Sequence, residues 1–145
     1  MKATNSTPVP RPADPSPAVA GAIAPWLAER LSDTLPRLRR DIVAHPVVFV
    51  GAGTCGLGAG ARKTAQAVRD YCQTHQLTAD LVEVGCIGMC SAEPLLDVQM
   101  PGRTRISFIH VTADRVPAIL DAVLNDQVPE DGRLGQFRHP EHRPY

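Results

Sequence analysis

Apolar residues in the middle of the chain recur with two different periods, and each change of period marks the end of an element. Alternating or continuous apolar runs predict strands, and apolar residues three and four positions apart predict helices. The pattern gives the order β-α-β-β-β-α, with elements at residues 47–53, 57–76, 79–85, 93–100, 104–111 and 112–124.

This order predicts how the strands pair. A helix separates the first two strands, and such a crossover joins parallel neighbours. The last two strands are separated by Pro101-Gly102-Arg103, a short turn that is typical of an antiparallel hairpin. The sequence therefore predicts an α/β, thioredoxin-like domain at residues 45–128. The polar, aperiodic residues 129–145 predict a tail or linker.

The segment before this domain has a different character. Residues 1–17 are rich in proline and have little to bury, which predicts a disordered leader. Residues 18–44 have apolar side chains at helical spacing and predict a helical extension, which Pro25 and Pro36 should kink or divide. This extension either packs on the domain that follows it or docks on a partner subunit.

The composition limits the number of domains and the kinds of partner. At 145 residues and 43% hydrophobic, the chain can build one domain with a substantial core. Its 15 basic residues balance 15 acidic ones, so the charge does not indicate binding to nucleic acid or to an anionic membrane. No apolar run approaches the roughly 20 residues that span a bilayer. We interpret the protein as cytoplasmic, where four cysteines indicate metal or redox chemistry before disulfides.

Gly51, Gly53 and Gly56 form a G-x-G-x-x-G pattern directly after the first strand, as in dinucleotide-binding folds. That fingerprint requires an acidic residue at the tip of the second strand, where this chain has Gly85 and Cys86. It also requires further parallel βαβ units, whereas this chain continues into a hairpin. We therefore interpret the glycines as a tight turn that brings backbone N–H groups near something buried.

Three of the four cysteines follow the first two strands. Cys55 lies in the loop after the first strand, and Cys86 and Cys90 lie in the loop after the second. Because parallel strands end at the same edge of a sheet, we expect the three thiols to converge there. Cysteine thiolates are the ligands of [2Fe–2S] clusters. Gly85 and Gly88 suit a loop whose amides donate hydrogen bonds to cluster sulfur.

These residues carry a resemblance to a known family. The segments GTCGLGAGARKTAQAVRDYC and VEVGCIGMCSAEPLLDVQMPGRTRISFIHV closely resemble the thioredoxin-like [2Fe–2S] ferredoxin domain, and the match covers about residues 46–128. That domain occurs as free ferredoxins, as small subunits of NAD(P)-linked hydrogenases and in the flavoprotein subunit of complex-I-like enzymes. The resemblance implies one [2Fe–2S] cluster, with Cys55, Cys86 and Cys90 among its ligands.

The resemblance also implies a role and partners. It implies a non-catalytic electron-transfer component of an NAD(P)H-linked oxidoreductase, whose partners are FMN- and NAD(P)H-binding flavoprotein and iron–sulfur subunits. Residues 132–145 resemble the linker that leads into the flavin module of fused flavoproteins, so the chain is either a stand-alone small subunit or part of a longer protein. The alternative function is a cluster-free structural or assembly subunit that keeps the fold for docking.

The sequence departs from the family at one ligand. The usual first ligand is a cysteine near the end of the first strand, where this chain has Val48, Phe49 and Val50. The remaining cysteine, Cys72, lies on the apolar stripe of the predicted helix, roughly 20 Å from its start, which argues for a buried structural thiol. The candidates for the fourth ligand are therefore a serine, a histidine and a cysteine of a partner chain.

The sequence is also compatible with three other states of the site. In the first, the cluster has been lost and the fold serves for docking. In the second, the cysteines bind zinc together with His45 or His110. A lone Cys-x3-Cys is a poor zinc knuckle, which disfavours the zinc site. Cys86 and Cys90 are also candidates for a dithiol switch, although nothing nearby marks either thiol as low in pKa.

Overall fold

The computed structural model describes residues 25–137, and the chain divides into two units between Arg39 and Arg40. In the first unit, helix α1 spans Pro25–Leu38. Proline is tolerated at a first helical position because the N–H that it lacks would have no acceptor within the helix. Pro36 lies inside α1, which ends two residues later. The predicted leader and the first part of the predicted extension, up to residue 24, lie outside the described residues.

The second unit contains a sheet, two longer helices and one short helix. Its elements, in chain order, are β1 (Val47–Gly51), α2 (Thr54–Ala59), α3 (Ala61–Thr74), β2 (Asp80–Val84), β3 (Leu96–Gln99), β4 (Ile106–Phe108), α4 (Val116–Leu124) and β5 (Arg133–Gln136). Two 3-10 turns, Cys90–Ala92 and Ala113–Arg115, precede β3 and α4. No helix within residues 25–137 is long and apolar enough to cross a membrane.

The five strands form one mixed sheet in the order β2-β1-β3-β4-β5. Strands β1 and β2 are parallel, with Val47 opposite Asp80 and Gly51 opposite Val84. Strand β3 pairs antiparallel with both β1 and β4. The predicted order β-α-β-β-β-α and the predicted pairing of its strands are therefore confirmed.

The main core lies on one face of the sheet. Side chains that alternate along β1, β3 and β4 point to this face, and helices α3 and α4 pack their buried residues against them. Burying a side chain of this size contributes about 1.5–3 kcal/mol to folding. The strand residues of this core are Val48, Val50, Leu96, Val98, Ile106 and Phe108.

A second, smaller cluster lies on the opposite face of β1. Val47 and Phe49 are buried there against Val43. The Arg105 guanidinium lies 3.9 Å from the centre of the Phe49 ring, a cation–π contact. Together the two faces bury every residue of β1, an interior strand between β2 and β3.

The helix that follows β1 differs from the prediction. The sequence predicted one helix over residues 57–76, whereas the structure has α2 and α3, separated at Gly60. Gly60 has φ = +106°, a left-handed conformation that ends α2 and begins α3. Helix α2 begins at Thr54, so it includes Cys55, which the sequence placed in a loop.

Strand β5 was not predicted. It lies within the segment interpreted as a tail or linker and pairs antiparallel with β4. Its first two residues are exposed, and its register shifts at a β-bulge beside Ser107 and Phe108. An edge strand of this kind has one unpaired side and no apolar alternation, so the pattern of apolar residues did not reveal it.

Helices α3 and α4 are joined by a polar contact. The Tyr71 hydroxyl on α3 donates a hydrogen bond of 2.5 Å to Oδ1 of Asp121 on α4. Tyr71 is buried, and this burial, followed by the hydrogen bond to Asp121, raises the pKa of Tyr71 to about 12. The bond therefore holds the two helices together only while the phenol keeps its proton.

Tyr71→Phe is expected to lower the free energy of unfolding near neutral pH by about 1 kcal/mol, because the hydrogen bond is lost. The pKa in the folded protein is above the value of 10.0 for a free tyrosine. The contribution of this bond is therefore complete below pH 10 and is lost as the pH rises through 12. Urea unfolding of both proteins at pH 8 and pH 11 measures the difference, which should shrink at pH 11. A difference of the same size at both pH values would contradict this assignment.

Candidate functional site

Three of the four cysteines lie at one edge of the sheet, where β1 and β2 end. The backbone N–H of Ala52 donates to the Val84 carbonyl at 2.7 Å, which extends the parallel pairing one step beyond β1. Cys55 is the second residue of α2, immediately after this edge, and Cys86 follows β2 by two residues. Cys90 begins the 3-10 turn before β3. All three residues are exposed.

The turns that carry these cysteines pack directly against each other. A Cβ atom added at Gly53 would lie 2.8 Å from Cys86 Cβ and 2.9 Å from Cys86 N. A glycine is therefore required at residue 53 so that the turn after β1 can approach the turn after β2. The φ of Gly53 is −65°, so the requirement comes from close approach and not from an unusual backbone conformation.

Cys86 and Cys90 form a close pair. Their Sγ atoms are 3.8 Å apart. Two sulfurs bound at about 2.3 Å to the same tetrahedral metal are about 3.8 Å apart, so the pair has the spacing of two ligands on one metal atom. The Gly88 N–H donates to Cys86 Sγ at 3.2 Å, from a glycine with φ = +88°. The backbone of the Cys86 turn therefore directs one amide at the sulfur.

Cys55 lies beside this pair. Its thiol raises the pKa of Cys90, and this effect is larger than the lowering by the hydrogen bond between Cys90 and Cys86. The three thiols therefore lie close together, although no group of three His, Cys, Asp or Glu within residues 25–137 is placed to hold a metal ion. A mononuclear Cys3His zinc site gains no support from this arrangement. A binuclear cluster divides its ligands between two irons, and a close pair with a third thiol beside it fits that division.

Cys72 lies apart from these turns. It is on α3, eleven residues after Ala61, which corresponds to about 16 Å along the helix axis. Its side chain is half-buried against the main core, and burial raises its pKa. The interpretation of Cys72 as a structural thiol is not tested by this placement and stays a prediction.

Apolar residues are close in sequence to the three cysteines. Ile87 and Met89 lie between Cys86 and Cys90, and Leu57 is two residues after Cys55. Their exposed fractions are 65% for Ile87, 37% for Met89 and 45% for Leu57. The three cysteines and these apolar neighbours in the chain are therefore all accessible to solvent.

Glu93 lies beside this site and was not predicted from the sequence. It directly follows the 3-10 turn that begins at Cys90, and the Glu93–Pro94 peptide bond is cis. The structure buries the Glu93 side chain to 6% exposure. Its carboxylate fills the space that a Cβ atom would occupy at Gly51, 2.7 Å from Oε2. The sequence indicated a buried group here only through Gly51 and Gly56, because two residues without side chains leave room for one.

Comparison with proteins of known structure gives the fold. A thioredoxin-like [2Fe–2S] ferredoxin from Aquifex aeolicus superposes with a TM-score of 0.57 and 22% identity, over 68% of this chain and 97% of that chain. A second structure of such a ferredoxin from the same organism has a TM-score of 0.54 and 20% identity, over 64% and 99% of the two chains. The chain has the fold of the thioredoxin-like [2Fe–2S] ferredoxins. No family model matches the sequence.

The chain is also similar to two cysteine variants of this ferredoxin and to a hydrogenase subunit. Two other similar structures are variants of the Aquifex aeolicus ferredoxin, each with one cysteine replaced by serine. The two replaced cysteines are four positions apart, as Cys86 and Cys90 are in this chain. The chain is also 24% identical over 87 residues to the NADP-reducing hydrogenase subunit HndB of Solidesulfovibrio fructosivorans. That match covers 59% of this chain and 69% of the subunit.

Proposed function

We propose that the chain is an electron-transfer subunit or domain that carries one [2Fe–2S] cluster, with Cys55, Cys86 and Cys90 among its ligands. The observation that carries this proposal is the gathering of the three thiols at one edge of a ferredoxin-fold sheet, two of them at 3.8 Å. When bound, the cluster supplies one-electron chemistry. The fourth ligand is unassigned. The chain's own contribution is to hold the thiols together and to aim an amide at one of them.

The proposed setting is an NAD(P)H-linked multi-subunit oxidoreductase, of the hydrogenase or complex-I-like type. The similarity to a subunit of an NADP-reducing hydrogenase supports the hydrogenase type. The exposed apolar residues Leu57, Ile87 and Met89, close in sequence to the cysteines, support close approach of a partner, since apolar surface that is removed from water favours association. The partners would be FMN- and NAD(P)H-binding flavoprotein and iron–sulfur subunits, and turnover would belong to them.

Metal analysis tests this proposal. Protein purified without oxygen is expected to contain iron and acid-labile sulfide in equal amounts, two of each per chain for a [2Fe–2S] cluster. It should be brown, and reduction with dithionite should produce an EPR signal from one unpaired electron. A colourless protein without iron, purified in the same way and correctly folded, would contradict the proposal. If that protein still bound the flavoprotein partner, it would support the cluster-free docking subunit instead.

A further inference from the structure

Glu93 is a buried carboxylate with an incomplete set of partners. Its Oε2 accepts a hydrogen bond of 2.8 Å from the Leu95 N–H. Its Oε1 is buried and has no hydrogen-bond partner among the described residues. None of the ion pairs in that part of the chain includes it. A buried carboxylate without a cation is costly for folding, so the burial of Glu93 indicates a role beyond stability.

The carboxylate lies directly under the turn that carries Cys55. A Cβ atom at Gly51 would be 2.7 Å from Glu93 Oε2, and one at Gly56 would be 3.1 Å from the same oxygen. Gly51 ends β1, and Gly56 follows Cys55 in the chain. The two glycines therefore form the walls of the space that Glu93 fills, one on each side of the Cys55 turn.

Glu93 is also tied to the other cysteine turn. It follows the 3-10 turn Cys90–Ala92 directly, and its bond to Leu95 fixes the chain at the start of β3. The same carboxylate thus contacts the backbone on the Cys55 side and belongs to the chain segment on the Cys90 side. A shift of Glu93 would change how the two turns face each other.

We propose that Glu93 is a positioning residue of the cysteine site, which seats the Cys55 turn against the Cys90 turn, and that a carboxylate at this place makes the site harder to reduce than a neutral side chain of the same shape would. This inference rests on the proposed [2Fe–2S] function. Reduction adds one electron, and hence one negative charge, to the site without forming or breaking a bond to Glu93. A carboxylate under the same turn repels that charge more strongly than a carboxylate in water, because the effective dielectric constant is lower in the protein.

The electrostatic part is tested with Glu93→Gln, which removes the charge and keeps the shape. Redox titration of the purified protein with dithionite, followed by EPR, gives the midpoint potential. We expect unchanged iron and sulfide contents and a potential that favours reduction by about tenfold, which is about 59 mV for one electron. A midpoint potential equal to that of the unsubstituted protein would overturn this part of the proposal.

Glu83→Gln is the matched control. Glu83 is three residues before Cys86, as Glu93 is three residues after Cys90, but it is exposed and paired with Arg69 at 2.8 Å. We expect its substitution to leave the potential unchanged, because water screens an exposed charge. Equal shifts in both variants would show a general effect of net charge and would overturn the assignment to Glu93. Glu93→Asp, which keeps the charge, should stay closer to the unsubstituted protein than Glu93→Gln.

The positioning part is tested without the cluster. In iron-free protein, Glu93→Ala is expected to speed the hydrogen exchange of amides 52–57 at least tenfold, while the amides of β4 exchange at the unsubstituted rate. Equal exchange at amides 52–57 would overturn the positioning role. Absence of iron from every variant would contradict the proposed function, and this exchange result would still decide whether Glu93 holds the Cys55 turn.

Discussion

Cys86→Ala is expected to reduce the iron bound per chain at least tenfold and to remove the EPR signal of the reduced protein. Cys86 is one of the close pair of thiols, and it accepts the hydrogen bond from Gly88. Loss of one thiolate leaves an iron without a full set of ligands, and a site that depends on thiolates then loses its metal. Cys90→Ala and Cys55→Ala should have the same effect. Iron and sulfide analysis after reconstitution without oxygen, with circular dichroism to confirm folding, measures it.

Cys72→Ala makes the same chemical change at a thiol outside the site. Because Cys72 is half-buried against the core, its loss should lower the free energy of unfolding by about 1 kcal/mol and leave the iron content unchanged. Full iron binding by Cys86→Ala would contradict the ligand assignment. So would loss of iron from a folded Cys72→Ala protein, since that result would place Cys72 among the ligands.

The pairing of the strands could be predicted because it depends on local patterns. Strand β1 is buried on both faces, so it appears in the sequence as a continuous apolar run, and the hairpin turn between β3 and β4 is short. Once β1 and β2 are parallel, the positions of Cys55 and Cys86 at one edge follow from topology. The placement of these two cysteines at one edge of the sheet could therefore be predicted from the sequence.

The function of the glycines after β1 was predicted only in part. The sequence indicated a tight turn near something buried, but Gly51, Gly53 and Gly56 do not have the left-handed conformation that requires glycine. Gly51 and Gly53 are needed because the Glu93 carboxylate and Cys86 approach them closely, and Gly56 is needed mainly because of the Gly51 carbonyl oxygen. The contacts with Glu93 and Cys86 join segments more than 30 residues apart, and no local pattern reports them. For the same reason the burial of Glu93 was missed, since isolated charged residues are usually exposed.

Two features of the fold had no clear signal in the pattern of apolar residues. Strand β5 is half-exposed at the edge of the sheet, so its residues do not alternate. The division of the predicted helix at Gly60 depends on a left-handed conformation that a glycine permits but does not require. His139 and His142 belong to the segment 129–145 that we interpreted as a tail or linker, and they lie outside the described residues.

Gly56→Ala is expected to destabilise the domain by about 1–3 kcal/mol and to reduce the iron content of the protein. A Cβ atom at residue 56 would lie 2.2 Å from the carbonyl oxygen of Gly51 and 3.1 Å from Glu93 Oε2. The first of these atoms is backbone at the end of β1, so the added methyl group can be accommodated only if α2 moves away from the sheet. Cys55 precedes Gly56 in α2, and the movement would take its thiol away from the other two.

Gly58→Ala is the matched control, because it adds the same methyl group to the same helix where, apart from its chain neighbours and the backbone of the helix itself, no atom lies within 4 Å. Alanine favours a helix over glycine by up to about 1 kcal/mol, so Gly58→Ala should be neutral or stabilising and should keep its iron. Urea unfolding and iron analysis of the two variants separate a steric effect at one position from a general effect of alanine in α2. If Gly56→Ala were as stable and as rich in iron as Gly58→Ala, α2 would not be seated on β1 in solution. The convergence of Cys55 with Cys86 and Cys90 would then lose its structural basis.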